Sequence, residues 1–180
     1  MNPADSTEIE LDALIGLFFE DRDSLGSFDN VPAGELQEPA RSLLDHSRHM
    51  TVTVEKYHGC PVSVKVLETR TDGEHYSRKI LLKKTTDDKV VQYGIVRLDM
   101  SVLAPPVREE IEARQTPLGR ILIRRNLLRT VKLENLFRIR CGEELSSHFG
   151  IQPGDTASGR TAMIFLDNQP AIELLEIVPG

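Results

Sequence analysis

Arg78 stands where the strand pattern predicts an apolar face. In residues 76–83 the side chains alternate with a period of two, so Arg78 shares a face with Ile80 and Leu82. A permanently charged guanidinium on such a face needs an anionic partner. The alternative is an arginine near the strand end that reaches solvent along its aliphatic stem. The pattern therefore indicates either an anion-binding site or a surface arginine.

The last strand-like segment carries one carboxylate on each face. Glu176 shares a face with Ile172 and Leu174, whereas Glu173 shares the opposite face with Leu175. A carboxylate in an aliphatic face either has a raised pKa or contacts a cation or donor, and both situations are typical of acid–base residues. Alternation does not select the inward face, so both glutamates stay candidates.

Other residue types with reactive chemistry lack the spacing that their chemistry requires. His46 and His49 have the i, i+3 spacing of a metal pair, but no further clustered ligand completes a site. Cys60 and Cys141 lie too far apart for a zinc motif and suggest no disulfide framework. No Gly-x-Ser-x-Gly, Walker or dinucleotide-binding glycine pattern occurs. We expect no metal and no cofactor.

Length and composition predict one ordinary folded domain. The chain has 180 residues, of which 39% are hydrophobic and 28% charged, a mixture unlike that of disordered chains. A net charge of −6 argues against nucleic-acid binding, and no apolar run is long enough for a membrane span. The N-terminus lacks the basic region of a secretory signal. We therefore expect a soluble, cytoplasmic monomer.

The charges are distributed unevenly along the chain. Residues 1–40 contain ten acids and a single base, Arg22, whereas residues 120–140 contain seven bases and a single acid, Glu134. The basic segment could meet an anionic ligand. Alternatively, it forms a solvated face that pairs with the acidic segment.

Hydrophobic periodicity predicts an α+β fold, with a single antiparallel β-sheet of about six strands and helices covering one face and the ends. Successive strands joined by tight turns can pair only antiparallel. Residues 1–34 read as an acidic extension with one short helix and then a loop, and residues 35–180 read as the main domain. The predicted helices span residues 38–47, 106–114 and 117–123, and the predicted strands span residues 51–57, 61–67, 76–83, 90–97, 136–140, 161–166 and 171–178.

Three pieces of the sequence, in this order, resemble the chorismate lyase (chorismate pyruvate-lyase) family and the related UTRA-type fold. They are Tyr-Ser-Arg-Lys-Ile-Leu-Leu at residues 76–82, Thr-Pro-Leu-Gly-Arg at residues 116–120, and a Gln169-Pro170 turn followed by a strand that carries glutamate. The resemblance covers roughly residues 40–178. It implies an antiparallel sheet whose helices cover a buried ligand site.

The resemblance also implies an enzyme, a lyase that eliminates enolpyruvate from chorismate to give 4-hydroxybenzoate and pyruvate without a cofactor. Such an activity belongs to ubiquinone or other aromatic-compound biosynthesis. Arg78 matches the family's arginine that grips the ring carboxylate. Glu176 best matches the glutamate near the ring hydroxyl, where it would act as a base or orient the hydroxyl, and Glu173 is the alternative.

Three further residues are expected to bind the substrate. Leu118 matches the leucine of the Thr-Pro-Leu-Gly turn, whose backbone helps to bind the ring carboxylate. Met50 matches an apolar residue that lines the family's pocket. Chorismate carries a second carboxylate, and Arg129 of the basic segment is the candidate to meet it.

Two other functions remain open. Ligand-binding domains of certain bacterial transcription regulators resemble chorismate lyase in fold, so the chain could be a non-catalytic sensor of a small aromatic acid. Such domains normally follow a winged helix-turn-helix, and the acidic first 40 residues do not fit a DNA-binding module, which favours the lyase. A lyase that produces another hydroxybenzoate isomer is the third possibility.

Overall fold

Seven strands form one antiparallel sheet in the order β1-β5-β6-β7-β4-β3-β2 in a computed structural model that describes residues 9–127 and 129–180. The strands are Gly26–Asn30 (β1), Val62–Asp72 (β2), His75–Lys84 (β3), Val90–Asp99 (β4), Arg129–Cys141 (β5), Thr156–Leu166 (β6) and Gln169–Pro179 (β7). Six α-helices accompany them: Leu11–Gly16 (α1), Ala40–Leu44 (α2), Met50–His58 (α3), Pro105–Glu112 (α4), Leu118–Arg124 (α5) and Glu143–Phe149 (α6). The predicted fold class is confirmed.

Local turns set the two antiparallel hairpin units of the sheet. β2, β3 and β4 follow one another, and β6 and β7 form the final hairpin. Gly73, with φ of +56°, makes the β2–β3 turn, and Asn168, with φ of +63°, lies in the β6–β7 turn. These strands were predicted because alternation and turn residues are both local signals.

Residues 51–57 form helix α3, so the strand predicted there is wrong. The sequence Thr-Val-Thr-Val alternates like a strand, but the buried residues of α3 include Met50 and Val54, one helical turn apart. Gly59, with φ of +66°, ends the helix, and the hairpin turn predicted at residues 58–60 is instead this helix end. Packing against α2 and α5 outweighs the strand propensity of valine and threonine.

The structure also contains two elements that were not predicted, β1 and α6. β1 pairs with β5 at the edge of the sheet within a stretch expected to be a loop, and three of its five residues are exposed. At Gly26 a side chain would lie 2.4 Å from the carbonyl oxygen of Arg140, so only glycine permits this pairing. The boundary predicted after residue 34 stays a prediction, although α1 and β1 pack with the rest of the sheet.

Both faces of the sheet carry helices. Helices α2 to α5 pack on the face that contains Leu174 and Val178 of β7. Helices α1 and α6 pack on the opposite face, which contains Leu175 and Ile177. The first face is therefore covered by four helices and the opposite face by two of those described.

At the start of β2, the outward-facing amide and carbonyl groups of Val62 are hydrogen-bonded to side chains of two helices. The amide of Val62 donates to Glu55 Oε1 of α3 at 3.0 Å, and Arg120 Nη1 of α5 donates to the Val62 carbonyl at 3.4 Å. Arg120 and Glu55 also pair with each other. The edge strand is thereby fastened to the helical layer.

In the described part of the chain, no helix is both long enough and apolar enough to cross a membrane. The predicted cytoplasmic location and monomeric state stay predictions.

Candidate functional site

A small cavity of about 40 Å³ lies between the first face of the sheet and helices α3 and α5. Four of the residues predicted from the sequence line it together: Met50, Arg78, Leu118 and Glu176. Alternation on β3 and β7 brings the two charged residues to the same face, and the helices supply the other two. The roles proposed for these side chains stay predictions.

Arg78 is fully buried in this cavity, with 1% of its surface exposed. Its Nη1 lies 3.4 Å from the carbonyl oxygen of Ile111, its Nε has no acceptor, and no carboxylate lies within 4.0 Å among the described residues. Burial lowers the pKa of Arg78, against the smaller opposing influence of Tyr76. The surface alternative for Arg78 is therefore wrong, and the guanidinium is a buried cation without a counter-charge in the described chain.

Gly94 gives the cavity its floor. It lies on β4 opposite Ile80 of β3 and Glu176 of β7. A side chain built at Gly94 would meet Ile80 Cδ1 at 3.3 Å. A side chain at this position would therefore press against Ile80, which also lines the cavity.

Glu176 is engaged in a buried ion pair with Arg160. Arg160 Nε donates to Glu176 Oε2 at 2.7 Å across neighbouring strands, and Arg160 is 0% exposed. Its remaining N–H groups donate to the carbonyl oxygens of Leu44 at 3.3 Å, His46 at 2.8 Å and Arg48 at 3.0 Å. Glu176 is therefore charge-compensated, unlike a free base.

Sequence reasoning missed Arg160 because the predicted strand began at position 161, five residues after the start of β6 at Thr156. Extending the alternation back places Arg160 on the face of Ala162 and Ile164, which was the available signal. The alternative carboxylate, Glu173, lies on the opposite face, with its Oε2 3.6 Å from Arg97 Nη1. Of the two glutamates, Glu176 is the one that lines the cavity.

Gln92 lines the cavity and was not predicted from the sequence. It is buried on β4, and its Oε1 has no hydrogen-bond donor among the described residues. A buried acceptor without a donor costs about 1–3 kcal/mol, so an unfilled partner is indicated. Its signal in the sequence was its alternation with Gly94 and Val96.

The first turns of two helices close the cavity. Met50 and Thr51 of α3 and Leu118 and Gly119 of α5 line it, and neither helix has a side-chain cap. A side chain at Gly119 would approach Thr51 Oγ1 to 2.9 Å, so glycine allows the two helix ends to lie close together. First-turn amides have no partner within their helix and favour negative charge.

Arg129 lies outside this cavity, so the structure does not bring it together with Arg78. It lines an open cleft of about 870 Å³, and His49 lines both the cleft and the cavity. Arg129 Nε donates to His49 Nε2 at 2.6 Å and Arg129 Nη1 donates to the Leu127 carbonyl at 3.0 Å. Burial, with the charges of Arg129 and Arg160, lowers the pKa of His49 to about 4, so the ring is neutral at pH 7.

His46 supports the ion pair and is no metal ligand in this arrangement. Its Nε2 lies 2.7 Å from the Leu43 carbonyl, and its Nδ1 faces Arg160 Nη1 at 3.3 Å. Burial and the charge of Arg160 lower the pKa of His46 to about 4. In the described ranges, no group of three or more metal-ligating side chains is present.

Most of the basic segment pairs with acids elsewhere in the fold. The alternative of pairing with the acidic N-terminal segment applies to one of these pairs, that of Arg138 and Glu35, at 3.8 Å. The other pairs are Arg120 with Glu55, Arg124 and Arg125 with Glu110, and Lys132 with Glu134.

No protein-family model and no curated protein matches the sequence. Among solved structures, the effector domain of PhnF from Mycobacterium smegmatis is similar, with a TM-score of 0.52, 12% identity, and coverage of 74% of this chain and 89% of that one. The whole PhnF chain gives a TM-score of 0.51 at 11% identity, covering 72% of this chain and 63% of PhnF. The ligand-binding domain of a GntR-family regulator from Bordetella bronchiseptica is also similar, with a TM-score of 0.49 and 13% identity, and the match covers 65% of this chain and 85% of that one.

These similarities correct the predicted enzymatic function. The structures with a TM-score above 0.5 are PhnF and its effector domain, and neither is described as a lyase. The UTRA-type fold is supported, whereas the assignment as a chorismate pyruvate-lyase is wrong.

Proposed function

We propose that the chain is a non-catalytic domain that binds a small carboxylic acid in the cavity at Arg78. The observation that carries this proposal is a fully buried guanidinium with no carboxylate partner in the described chain. An uncompensated buried charge costs several kcal/mol, so its retention needs a purpose outside the stability of the fold.

The treatment of Arg160 in the same core supports this proposal. Arg160 is equally buried, but it has a carboxylate and three carbonyl acceptors. Arg78 has one long contact with the Ile111 carbonyl. A ligand carboxylate would supply Arg78 with an anionic partner of the kind that Arg160 already has in Glu176.

The other polar groups of the cavity define the rest of the ligand. The Gln92 carbonyl oxygen lacks a donor, so a hydroxyl or amine on the ligand would satisfy it. The helix ends at Met50 and Leu118 add partial positive charge near the carboxylate. An aromatic acid with a ring hydroxyl, such as 4-hydroxybenzoate, has this pair of groups and is the first probe.

Calorimetric titration with 4-hydroxybenzoate and with its neutral isostere 4-hydroxybenzamide tests the proposal. We expect the acid to bind at least 100-fold more tightly, and we expect Arg78→Met to abolish this difference. Arg140→Met, at an exposed position on β5, is the matched control and should bind like the wild type. Incubation with chorismate should release no pyruvate.

Equal binding of acid and amide would contradict the proposal, as would full binding of the acid by the Arg78→Met variant. Gly94→Val provides an independent check, since it fills the floor of the cavity without removing a charge. It should abolish binding, and retained affinity would show that the ligand lies elsewhere.

A further inference from the structure

The cavity at Arg78 and the neighbouring cleft differ greatly in size. The cavity has about 40 Å³, which accommodates a carboxylate group, whereas the cleft on the other side of His49 has about 870 Å³. Pockets for ligands of ordinary size measure roughly 300–1,000 Å³. The cavity therefore suits the carboxylate group of a ligand, which we call its head, and the cleft suits the rest of the molecule, which we call its body.

The outer cleft, defined here by its lining residues from position 47 to 52 and from 123 to 131, has an apolar wall. Its aliphatic side chains are Val52, Ile123, Leu127 and Val131. Val52 is 43% exposed and Ile123 is 40% exposed, and both are among the large apolar side chains that the described fold leaves in water. Covering this wall with an apolar group would release ordered water and favour binding.

The positive charge at the outer cleft would attract an anionic ligand towards the neighbouring cavity. Arg48 and Arg129 line it, and no acidic side chain belongs to its lining. Among the described residues neither arginine has a carboxylate within 4.0 Å, in contrast to most bases of residues 120–140. A cleft lined by one sign of charge raises the local concentration of the opposite ion.

His49 is the partition between the two spaces. Its ring lines both of them, and the hydrogen bond from Arg129 Nε to His49 Nε2 holds it. The ring is uncharged at pH 7, so moving it aside moves no net charge. His49 therefore lies at the border between the cavity and the cleft.

We infer that the ligand is an elongated monocarboxylate, whose head lies at Arg78 and whose apolar body passes His49 into the outer cleft. This inference rests on the proposed function, because it requires the anion site at Arg78. It adds the class of ligand: an acid with an aliphatic or similarly apolar extension, for which a compact acid such as 4-hydroxybenzoate is a minimal probe.

Straight-chain acids from butanoate to decanoate, titrated by calorimetry below their micellar concentrations, test the inference. We expect affinity to rise about fourfold per added methylene until the cleft is filled, as burial of one methylene predicts. Val52→Ser and Ile123→Ser should flatten this dependence on length while short acids bind as before. Tyr57→Ser is the matched control, since Tyr57 is an exposed apolar residue of the same helix as Val52 but does not line the cleft.

The outcomes separate the two proposals. Arg78-dependent binding that does not increase with chain length would overturn the inference and leave the proposed function intact. Binding of no acid, or binding independent of Arg78, would overturn both. Sedimentation velocity on the same variants adds a third outcome: a dimer that Ile123→Ser dissociates, with unchanged dependence on length, would assign the apolar wall to self-association and overturn the inference.

Discussion

Replacing Arg78 by methionine should make the ligand-free protein more stable and should abolish ligand binding. Methionine fills much of the same volume and removes a buried cation that has one 3.4 Å contact and an unpartnered Nε. The Ile111 carbonyl is not orphaned by the change, because it also accepts from the Arg114 amide at 3.2 Å. An unsatisfied buried donor costs about 1–3 kcal/mol, so we expect a gain of about 2 kcal/mol in the free energy of unfolding.

Urea denaturation and differential scanning calorimetry measure this gain. For a chain of 180 residues, each kcal/mol shifts Tm by about 2–4 °C, so the midpoint should rise by roughly 4–8 °C. Arg160→Met is the comparison at an equally buried site. It leaves Glu176 buried without its cation and should lower stability by about 3–5 kcal/mol.

The reasoning fails if Arg78→Met destabilises the protein as much as Arg160→Met does. Such a result would mean that Arg78 has a structural partner equivalent to Glu176 and that its charge contributes to the fold. A rise in stability accompanied by loss of 4-hydroxybenzoate binding is the combination expected of a residue retained for its ligand.

Two further predictions concern the polar groups around the cavity. The pKa of His46 and of His49 is about 4 in the folded state, below the value near 6.5 of the unfolded chain. Between these two values the unfolded state binds more protons than the folded state. The stabilising contribution of the neutral rings should therefore be complete above pH 6.5 and should fall as the pH drops towards 4. Urea midpoints between pH 7.5 and 4.5 measure the fall, which should be smaller in a His46→Gln/His49→Gln variant, and equal slopes would contradict the assignment. Glu176→Gln should lower the free energy of unfolding by about 2–3 kcal/mol, because it removes the charge of a buried ion pair. Glu173→Gln removes a partly exposed pair with a separation of 3.6 Å and should cost less than about 1 kcal/mol. If urea denaturation gave the reverse order, the buried pair would not be the stronger one.

The sequence was most informative where structure is decided locally. Strands β3, β4, β6 and β7 follow from alternation and turn residues. The same alternation places Arg78 and Glu176 each on an apolar face of its own strand, but it did not choose between Glu173 and Glu176 as the carboxylate on the face of Arg78. The sequence was least informative where two periodicities coincide. In α3 the alternating valines and threonines satisfy a strand pattern, and contacts with distant helices select the helix.

Only part of the candidate site could be predicted from the sequence, and the reason is related. Gly94, Gln92 and Arg160 enter the cavity or its ion pair through the register of neighbouring strands, which no single segment specifies. The choice between catalysis and binding depends on a still finer property. The residue types at Arg78 and Glu176 are compatible with both functions, and the pairing of Glu176 with Arg160 became visible only with the packed core.

The hydrogen bonds of Glu55 and Arg120 with the backbone of Val62 affect how the edge of the sheet can associate with other copies of the chain. β2 is an eleven-residue strand at the rim of the sheet, and such rims invite further strands to add and polymerise. At its first residue the outward amide and carbonyl are both occupied, and farther along Lys65, Glu68 and Arg70 place charges that an incoming strand would have to accommodate. Helices α3 and α5, which line the cavity, therefore also hinder the addition of further strands at the start of β2.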